Sequence, residues 1–524
     1  MGGATTGHLF VVHGDLTQLA CDGWLLPCDR GARPRSSWLR HLRFPQGFSW
    51  PRGNPAWKVG ADRVLEVEGW RETSPRPWLV NVAAPRGTRV SWYVEGAAQF
   101  LARAEAATRH LPPRNGRARR LLALPVVGTG GGGAGWAAGH VLKELVPLLI
   151  DFVAEHDVDV ALVTNVASTF AAAQVSRQSA GYRFAEVGER LRATAEMLAE
   201  HAARGDLVLF LGAGIGLPAG LPNWSGLLKN LAAEAGFEDP AALAALPLLD
   251  QARVIEVKLE RKVERVERPL GAAVAAQIGA VQGYGLLHGL LASLPVREVV
   301  TTNYDQLFER AWEAIRKPLS VLPHAPRPGA PGWLLKMHGC VADPASIVLT
   351  REDYLRYDHR REALSGIVQA LLITKHMLFV GFSLTDDNFH RIADAVRRAR
   401  PVAQPSSGGS APKTFGTALH LSHDPHAGAL WGDEVDWVAM EAGTAALSSR
   451  RIEIFLDYLA AQIAPMTHLL DRRFEGALGE TAKALRTSLG ALLAAVEANP
   501  AAREDPAWPQ VAALLERLGY SEFD

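Results

Sequence analysis

The chain has 524 residues, with 55 lysines and arginines balanced by 55 aspartates and glutamates. The length predicts two or three domains, and the even charge gives no signal for nucleic acid or an anionic membrane surface. Three cysteines, Cys21, Cys28 and Cys340, cannot make a disulfide framework or two CxxC pairs, which points to a reducing compartment without structural zinc. No uncharged apolar run reaches roughly 18 residues, and no basic start with an apolar core opens the chain, so a cytoplasmic protein is expected.

Residues 8–12, 22–27, 78–83, 121–127 and 157–164 read as strands, with a helix near 137–154. Strand and helix alternation of this kind predicts an α/β domain over 1–183. Between the fourth strand and the helix, 128–135 carries six glycines in eight residues. Such a loop is entropically costly to order, so it cannot be there for packing. A backbone cradle for a diphosphate at a helix N-terminus accounts for it; a flexible surface loop is the plainer alternative. The tryptophans of this third, including Trp24, Trp57 and Trp78, read as core or partner surface. Apolar residues at helical spacing (Val187, Leu191, Ala195, Leu198) then predict a connecting helix over 184–205.

From Asp206 a hydrophobic strand empties into a glycine loop (Gly212, Gly214, Gly216), and a helix is expected from Ser225. A dehydrogenase fingerprint would continue with a second strand and an acid roughly 20 residues on. Instead 225–236 and 240–269 read as helix, the charged stretch 256–267 being a solvated face. Three polar islands follow, each behind an apolar strand. After 297–302 come Asn303 and Asp305, an amide and a carboxylate able to orient a ribose hydroxyl, a water or a carboxamide. Asp305 can cap a helix from Gln306, but capping leaves Asn303 unexplained. After 333–337 comes His338, whose near-neutral pKa would suit proton exchange, or which is a turn histidine. After 376–380 come Gly381 and Ser383, suited to close backbone approach and to a phosphate or ribose contact; an ordinary turn with Asp386 as helix cap is the alternative.

Two resemblances organise these features. Val12-His-Gly-Asp-Leu-Thr17 and Leu124-Pro-Val-Val-Gly-Thr-Gly-Gly131 resemble the macro domain, the ADP-ribose-binding fold. That implies Asp15 against an adenine amino group and Gly128, Thr129, Gly130 and Gly131 along a diphosphate, hence an ADP-ribose-type ligand. Macro domains usually carry an asparagine-rich loop after the second strand; here Pro27-Cys28-Asp29-Arg30 stands there, which argues against hydrolysis of ADP-ribose conjugates.

The four islands over 206–421 resemble the sirtuin family, and more closely the prokaryotic sirtuin-like NADases of antiphage defence. The resemblance implies a Rossmann-like domain with helical insertions over 206–445. Gly212, Ala213, Gly214 and Gly216 would hold the NAD+ pyrophosphate, and Asn223 with Trp224 would close over the nicotinamide. Asn303, beside Thr302, would position the nicotinamide ribose or attacking water, Asp305 the carboxamide, and His338 the ribose hydroxyls. Gly381, Phe382 and Ser383 would meet the adenosine half.

Two departures bear on the substrate. Deacylating sirtuins carry two cysteine pairs on a zinc module after the histidine, whereas Cys340 stands alone. The serine usual in the glycine loop is Gly216, and the usual arginine is missing from 217–224. Without a zinc module an acyl-lysine cleft is hard to build, so the expected reaction is zinc-independent hydrolysis of NAD+ as substrate. A non-catalytic NAD or ADP-ribose sensor module, and an ADP-ribosyltransferase or deacylase, are the alternatives. Residues 400–413 read as a proline-containing loop before a strand at 417–422. Helical patterns at 450–463, 478–498 and 509–518 predict a helical C-terminal region over 446–524, a cap or oligomerisation surface. The resemblance also implies a homo-oligomer or a sensor partner protein.

Overall fold

Short strands rich in leucine and valine, buried on both faces, build two largely parallel sheets whose crossover connections are helices. The structure, a computed structural model, describes all residues except 1–5, 43, 45–47, 51–61, 68, 71–74, 85–87, 263–266, 282, 400–413 and 521–524. The loop expected over 400–413 and Trp57 lie outside the described residues. Two compact units result: Met1–Arg114 with Ala118–Ala185 and Ala460–Asp524, and Asn115–Arg117 with Glu186–Leu459.

In the first unit, β1 (Leu9–His13), β2 (Gly23–Cys28), β3 (Val64–Glu66), β4 (Arg76–Asn81), β5 (Leu121–Leu124) and β6 (Asp159–Thr164) form a six-stranded sheet. Its order is β1-β6-β5-β2-β4-β3, and only β3 runs antiparallel to its neighbour. The sequence pattern finds five of these strands and misses β3, whose three residues are too few to display an alternation. Trp24 and Trp78 are core residues, as expected. Phe474 is fully buried in this unit's core against the helix Ala138–Glu155, and its backbone lies 3.0 Å from where a Cβ on Gly139 would sit. Residues 460–524 thus cluster with the N-terminal sheet, whereas the sequence pattern grouped 446–524 by itself.

The second unit holds a seven-stranded parallel sheet of order β13-β12-β11-β7-β8-β10-β9. Its strands are β7 (Leu207–Leu211), β8 (Glu298–Thr301), β9 (Leu319–Leu322), β10 (Gly332–Lys336), β11 (His376–Val380), β12 (Gly416–His420) and β13 (Val435–Ala439). The chain leaves β7 toward β8 on one side and later returns to β11 on the other. That reversal is a topological switch point, where the carboxyl ends of parallel strands leave a crevice for ligands. The helical insertion expected over 240–269 resolves into a 3-10 segment Pro240–Ala245 and the helices Leu248–Lys262 and Pro269–Gly279. β9 and β13, both edge strands, were not anticipated.

Candidate active site

At the carboxyl edge of the second sheet opens a cavity of about 580 Å³, a size usual for small-molecule sites. It gathers Ala213, Gly214, Asn223, Trp224, Thr302, Asn303, Asp305, His338, Gly381, Phe382 and Ser383 from all four islands. Gly212 and Gly216, also expected at the site, are not among the lining residues.

The glycine loop does something different from what its sequence suggests. Directly after β7 it winds into a 3-10 segment, Ala213–Ala219, and the longer helix Trp224–Ala235 starts only after Asn223, whose side chain caps it by accepting Gly226 N–H at 2.8 Å. The Gly214 N–H is not bare: it donates to Gly381 O at 2.9 Å, and Ile215 N–H donates to Gly212 O at 3.2 Å. A Cβ on Gly212 would sit 2.4 Å from Gly381 O, and one on Gly214 would sit 2.8 Å from Gly381 Cα. These glycines therefore let two loops pack backbone on backbone across the switch point. Gly381 has φ +65, a left-handed conformation that favours glycine. Phe382 packs on Phe210 with centroids 4.6 Å apart, so it serves the core as well as the wall.

The island after β8 is tied to the same loop. Thr302 N–H donates to Leu211 O at 3.2 Å, and Asn303 Nδ2 donates to Gly212 O at 3.1 Å. Asn303 is buried, and its Oδ1 has no partner among the described residues. A buried carboxamide oxygen left without a donor is costly unless a ligand or water supplies one. Asp305 accepts Leu307 N–H at 2.9 Å at the start of the helix Leu307–Ala314, although Gln306 and not Asp305 holds the N-cap position, and it also lines the cavity. Beneath it, the fully buried Lys336 bonds the Asp305 carbonyl and Glu309 Oε1, the latter at 2.8 Å.

His338 follows β10 and is buried at the cavity wall. The near-neutral pKa expected from sequence is corrected here: burial pushes it down, with the Asp386 carboxylate pulling back and Arg361 adding to the fall. The imidazole is accordingly neutral at physiological pH. Ser383 Oγ bonds Thr385 Oγ1 at 2.7 Å, while Asp386 caps the helix Asp387–Ala399 by accepting Phe389 N–H at 3.0 Å. The lining carries the carboxylates of Asp305, Asp386 and Asp387 and no lysine or arginine among the described residues. Sequence reasoning missed Tyr354, Leu248, Leu249 and Ile278, which come from helices where nothing marks them out.

In the first unit, Asp15 accepts Thr17 N–H at 2.9 Å and the Thr17 hydroxyl at 2.7 Å, capping a short 3-10 turn. The glycine-rich loop is packed, contrary to the expectation that packing plays no part. A Cβ on Gly128 would sit 2.3 Å from the Tyr93 ring, and one on Gly131 would sit 2.0 Å from the Arg35 guanidinium. Tyr93 donates to Gly132 O at 2.8 Å and Arg35 to Gly131 O at 3.2 Å. Thr129 donates to Val126 O at 2.8 Å. Gly130 would meet nothing within 4 Å.

Among the described residues no group of three or more His, Cys, Asp and Glu is arranged to hold a metal ion, and no helix is long and apolar enough to cross a membrane. Over 204 residues the chain is 33% identical to the NAD(+) hydrolase ThsA of Enterococcus faecium, covering 38% of this chain and 41% of that protein. Over 223 residues it is 30% identical to the NAD(+) hydrolase ThsA of Bacillus cereus (strain MSX-D12), covering 39% and 42%. Defense-associated sirtuin 2 of Bacillus subtilis is 28% identical over 118 residues, 21% of this chain and 12% of that protein. The chain thus spans about two fifths of the length of these two hydrolases. Residues 297–412, the segment that brings Asn303, Asp305, His338 and Gly381 to the cavity, match the family model described as SIR2-like domain.

Proposed function

We propose that the chain is an NAD+ hydrolase that cleaves the N-glycosidic bond to nicotinamide and ADP-ribose. We further read it as a regulated cytoplasmic effector of antiphage defence that acts by depleting NAD+. The observation that carries the reading is Asn303, which lines a cavity shared with His338 at the switch point of the sheet and whose buried Oδ1 has no donor among the described residues. The relatives named NAD(+) hydrolase support it.

The chemistry asks little of the protein in acid catalysis, because nicotinamide leaves as a neutral base. The C1′–N bond breaks with its electron pair going to the pyridine nitrogen, and an oxocarbenium-like ribose remains. Water adds to C1′ and loses a proton, giving ADP-ribose. Asn303 Oδ1 accepts a hydrogen bond from the attacking water or a ribose hydroxyl, and neutral His338 takes or relays the proton. The carboxylates of the lining complement both the pyridinium and the ribosyl cation. Since the Gly214 and Ile215 N–H groups are already bonded, the diphosphate would rely on the remaining loop N–H groups and on Ser383 and Thr385.

We assign the adenosine half to Gly381, Phe382 and Ser383, and the nicotinamide side to Asn223, Trp224 and Asp305. The first unit, read as macro-like, would hold an ADP-ribose-type ligand by Asp15 and Gly128–Gly131, with the Arg35 guanidinium at the diphosphate. Assembly as a homo-oligomer or with a sensor partner would set the active state. The test is nicotinamide release by the full chain under activating conditions, with EDTA present to check zinc independence. Release by wild type no greater than by Asn303→Ala or His338→Ala contradicts the reading, as does transfer of label from NAD+ to protein in place of free ADP-ribose.

A further inference from the structure

Around His338 lies a set of side chains whose effect on its protonation the cleavage scheme leaves open. Its Nε2 is 3.4 Å from Asn388 Nδ2 and 3.7 Å from Asp386 Oδ1. Asp386 is held from two sides: Tyr354 donates its hydroxyl to Oδ2 at 2.8 Å, and Phe389 N–H bonds Oδ1 at 3.0 Å. The rings of Tyr354 and Tyr357 meet the imidazole edge-on, at centroid distances of 5.5 and 5.9 Å. No hydrogen bond to Nδ1 is found among the described residues, and His338 lines the cavity.

A neutral imidazole carries one proton on one of two nitrogens. The two groups at Nε2 demand opposite choices. Asn388 Nδ2 is a donor and favours a lone pair on Nε2, with the proton on Nδ1. The Asp386 carboxylate is an acceptor and favours the proton on Nε2, with the lone pair on Nδ1. Both contacts are long, so strength at closest approach decides, and a charge-assisted bond is roughly twice as strong as a neutral one. Catalytic hydrogen bonds are often long before substrate arrives and tighten as water leaves.

We propose that Asp386, clamped by Tyr354, is a positioning residue that holds His338 with its proton on Nε2, so that Nδ1 faces the cavity as the proton acceptor. As the C1′–O bond forms, Nδ1 takes the proton of the attacking water. The imidazolium that results has its Nε2–H on the Asp386 carboxylate, and the proton passes to solvent once product leaves. Burial keeps His338 neutral beforehand, so the lone pair is available. The charged or titratable groups facing it are Asp386, Tyr354, Tyr357 and Arg361. Only the identity of the acceptor's substrate rests on the NAD+ reading; the tautomer does not.

The test uses the full chain with ¹⁵N-labelled histidine, the His338 signals being assigned by their loss in His338→Gln. The expected result is a protonated Nε2 and a bare Nδ1 in wild type, and loss of that preference in Asp386→Asn. Asparagine is itself a good helix cap, so this variant keeps the helix start and a melting curve checks the fold. In turnover, Asp386→Asn should lower kcat by about 100-fold and Tyr354→Phe by about 10-fold, within the range for proton-transfer groups, with KM little changed. The acid limb of kcat should move to lower pH in Asp386→Asn, because the carboxylate no longer favours the imidazolium. A wild-type Nδ1–H tautomer would overturn the proposal and assign control to Asn388. So would an unchanged tautomer in Asp386→Asn. Absence of NAD+ cleavage by wild type would sink the hydrolase reading and leave the tautomer result to stand or fall alone.

Discussion

Asn303 is the side chain whose environment most needs explaining. One end of its carboxamide is fixed on Gly212 O, and the other is buried without a donor. Asn303→Ala removes a preorganised contact, for which a loss of about 100- to 1,000-fold in kcat is the usual scale; little stability should go with it, since an orphaned buried oxygen goes too. Equal loss of kcat and folding stability would instead make Asn303 structural. A second prediction concerns His468, fully buried with both ring nitrogens unpartnered, whose pKa burial pushes down to about 4 despite Asp471. Its folded pKa lies below the unfolded value near 6.5, so its stabilising share is complete above about pH 6.5 and is lost as pH falls toward 4. Calorimetry of wild type and His468→Leu over pH 7.5 to 4.5 should show a steeper fall in Tm for wild type; parallel curves would contradict this. Asn303, Asp305 and His338 were legible because polar residues stand out at the ends of apolar strands. Tyr354 and Asn388 were not, because a tyrosine or asparagine within helical sequence looks like any other surface residue until folding buries it.

At the scale of elements, the switch point depends on two loops in backbone contact. Gly381→Ala adds a Cβ 2.6 Å from Ile215 N at φ +65. Left-handed strain of 1–2 kcal/mol and overpacking of 1–3 kcal/mol together predict a loss of about 3 kcal/mol. Gly236→Ala, at φ +85 with nothing within 4 Å, should lose only about 1 kcal/mol from the backbone strain. Urea unfolding of the two variants decides, and equal losses would show that loop packing is not what the glycine serves. Beneath the sheet edge, Lys336→Met would strand Glu309 without its partner, at a cost of about 3–5 kcal/mol; a loss below 1 kcal/mol would mean the pair is solvated. The central strands of both sheets were readable as apolar runs. The edge strands β3, β9 and β13 were not, since each is short and set among prolines, charges or loops. The glycine loops themselves were misread in part: sequence announces conformational freedom, but only the fold reveals that backbone and side chains fill it.

At the scale of the molecule, a chain of zero formal net charge carries two parallel-sheet units, and one of them includes a SIR2-like segment with carboxylates at its cavity. The resemblance to sirtuin-like NADases anticipated that segment, and the named relatives agree with it over about two fifths of their own length. The charge balance of the whole chain was a poor guide to the cavity, because a local excess of three aspartates vanishes in the total. The central claim is that water is the acceptor of the ribosyl group. Turnover of NAD+ by the full chain in ¹⁸O-labelled water, followed by mass spectrometry of the released nucleotide, tests it directly. The account predicts one ¹⁸O in each ADP-ribose formed by wild type and product formation slowed about 100-fold or more with Asn303→Ala; ADP-ribose attached to protein, or an unlabelled cyclic product as the sole nucleotide, would contradict it.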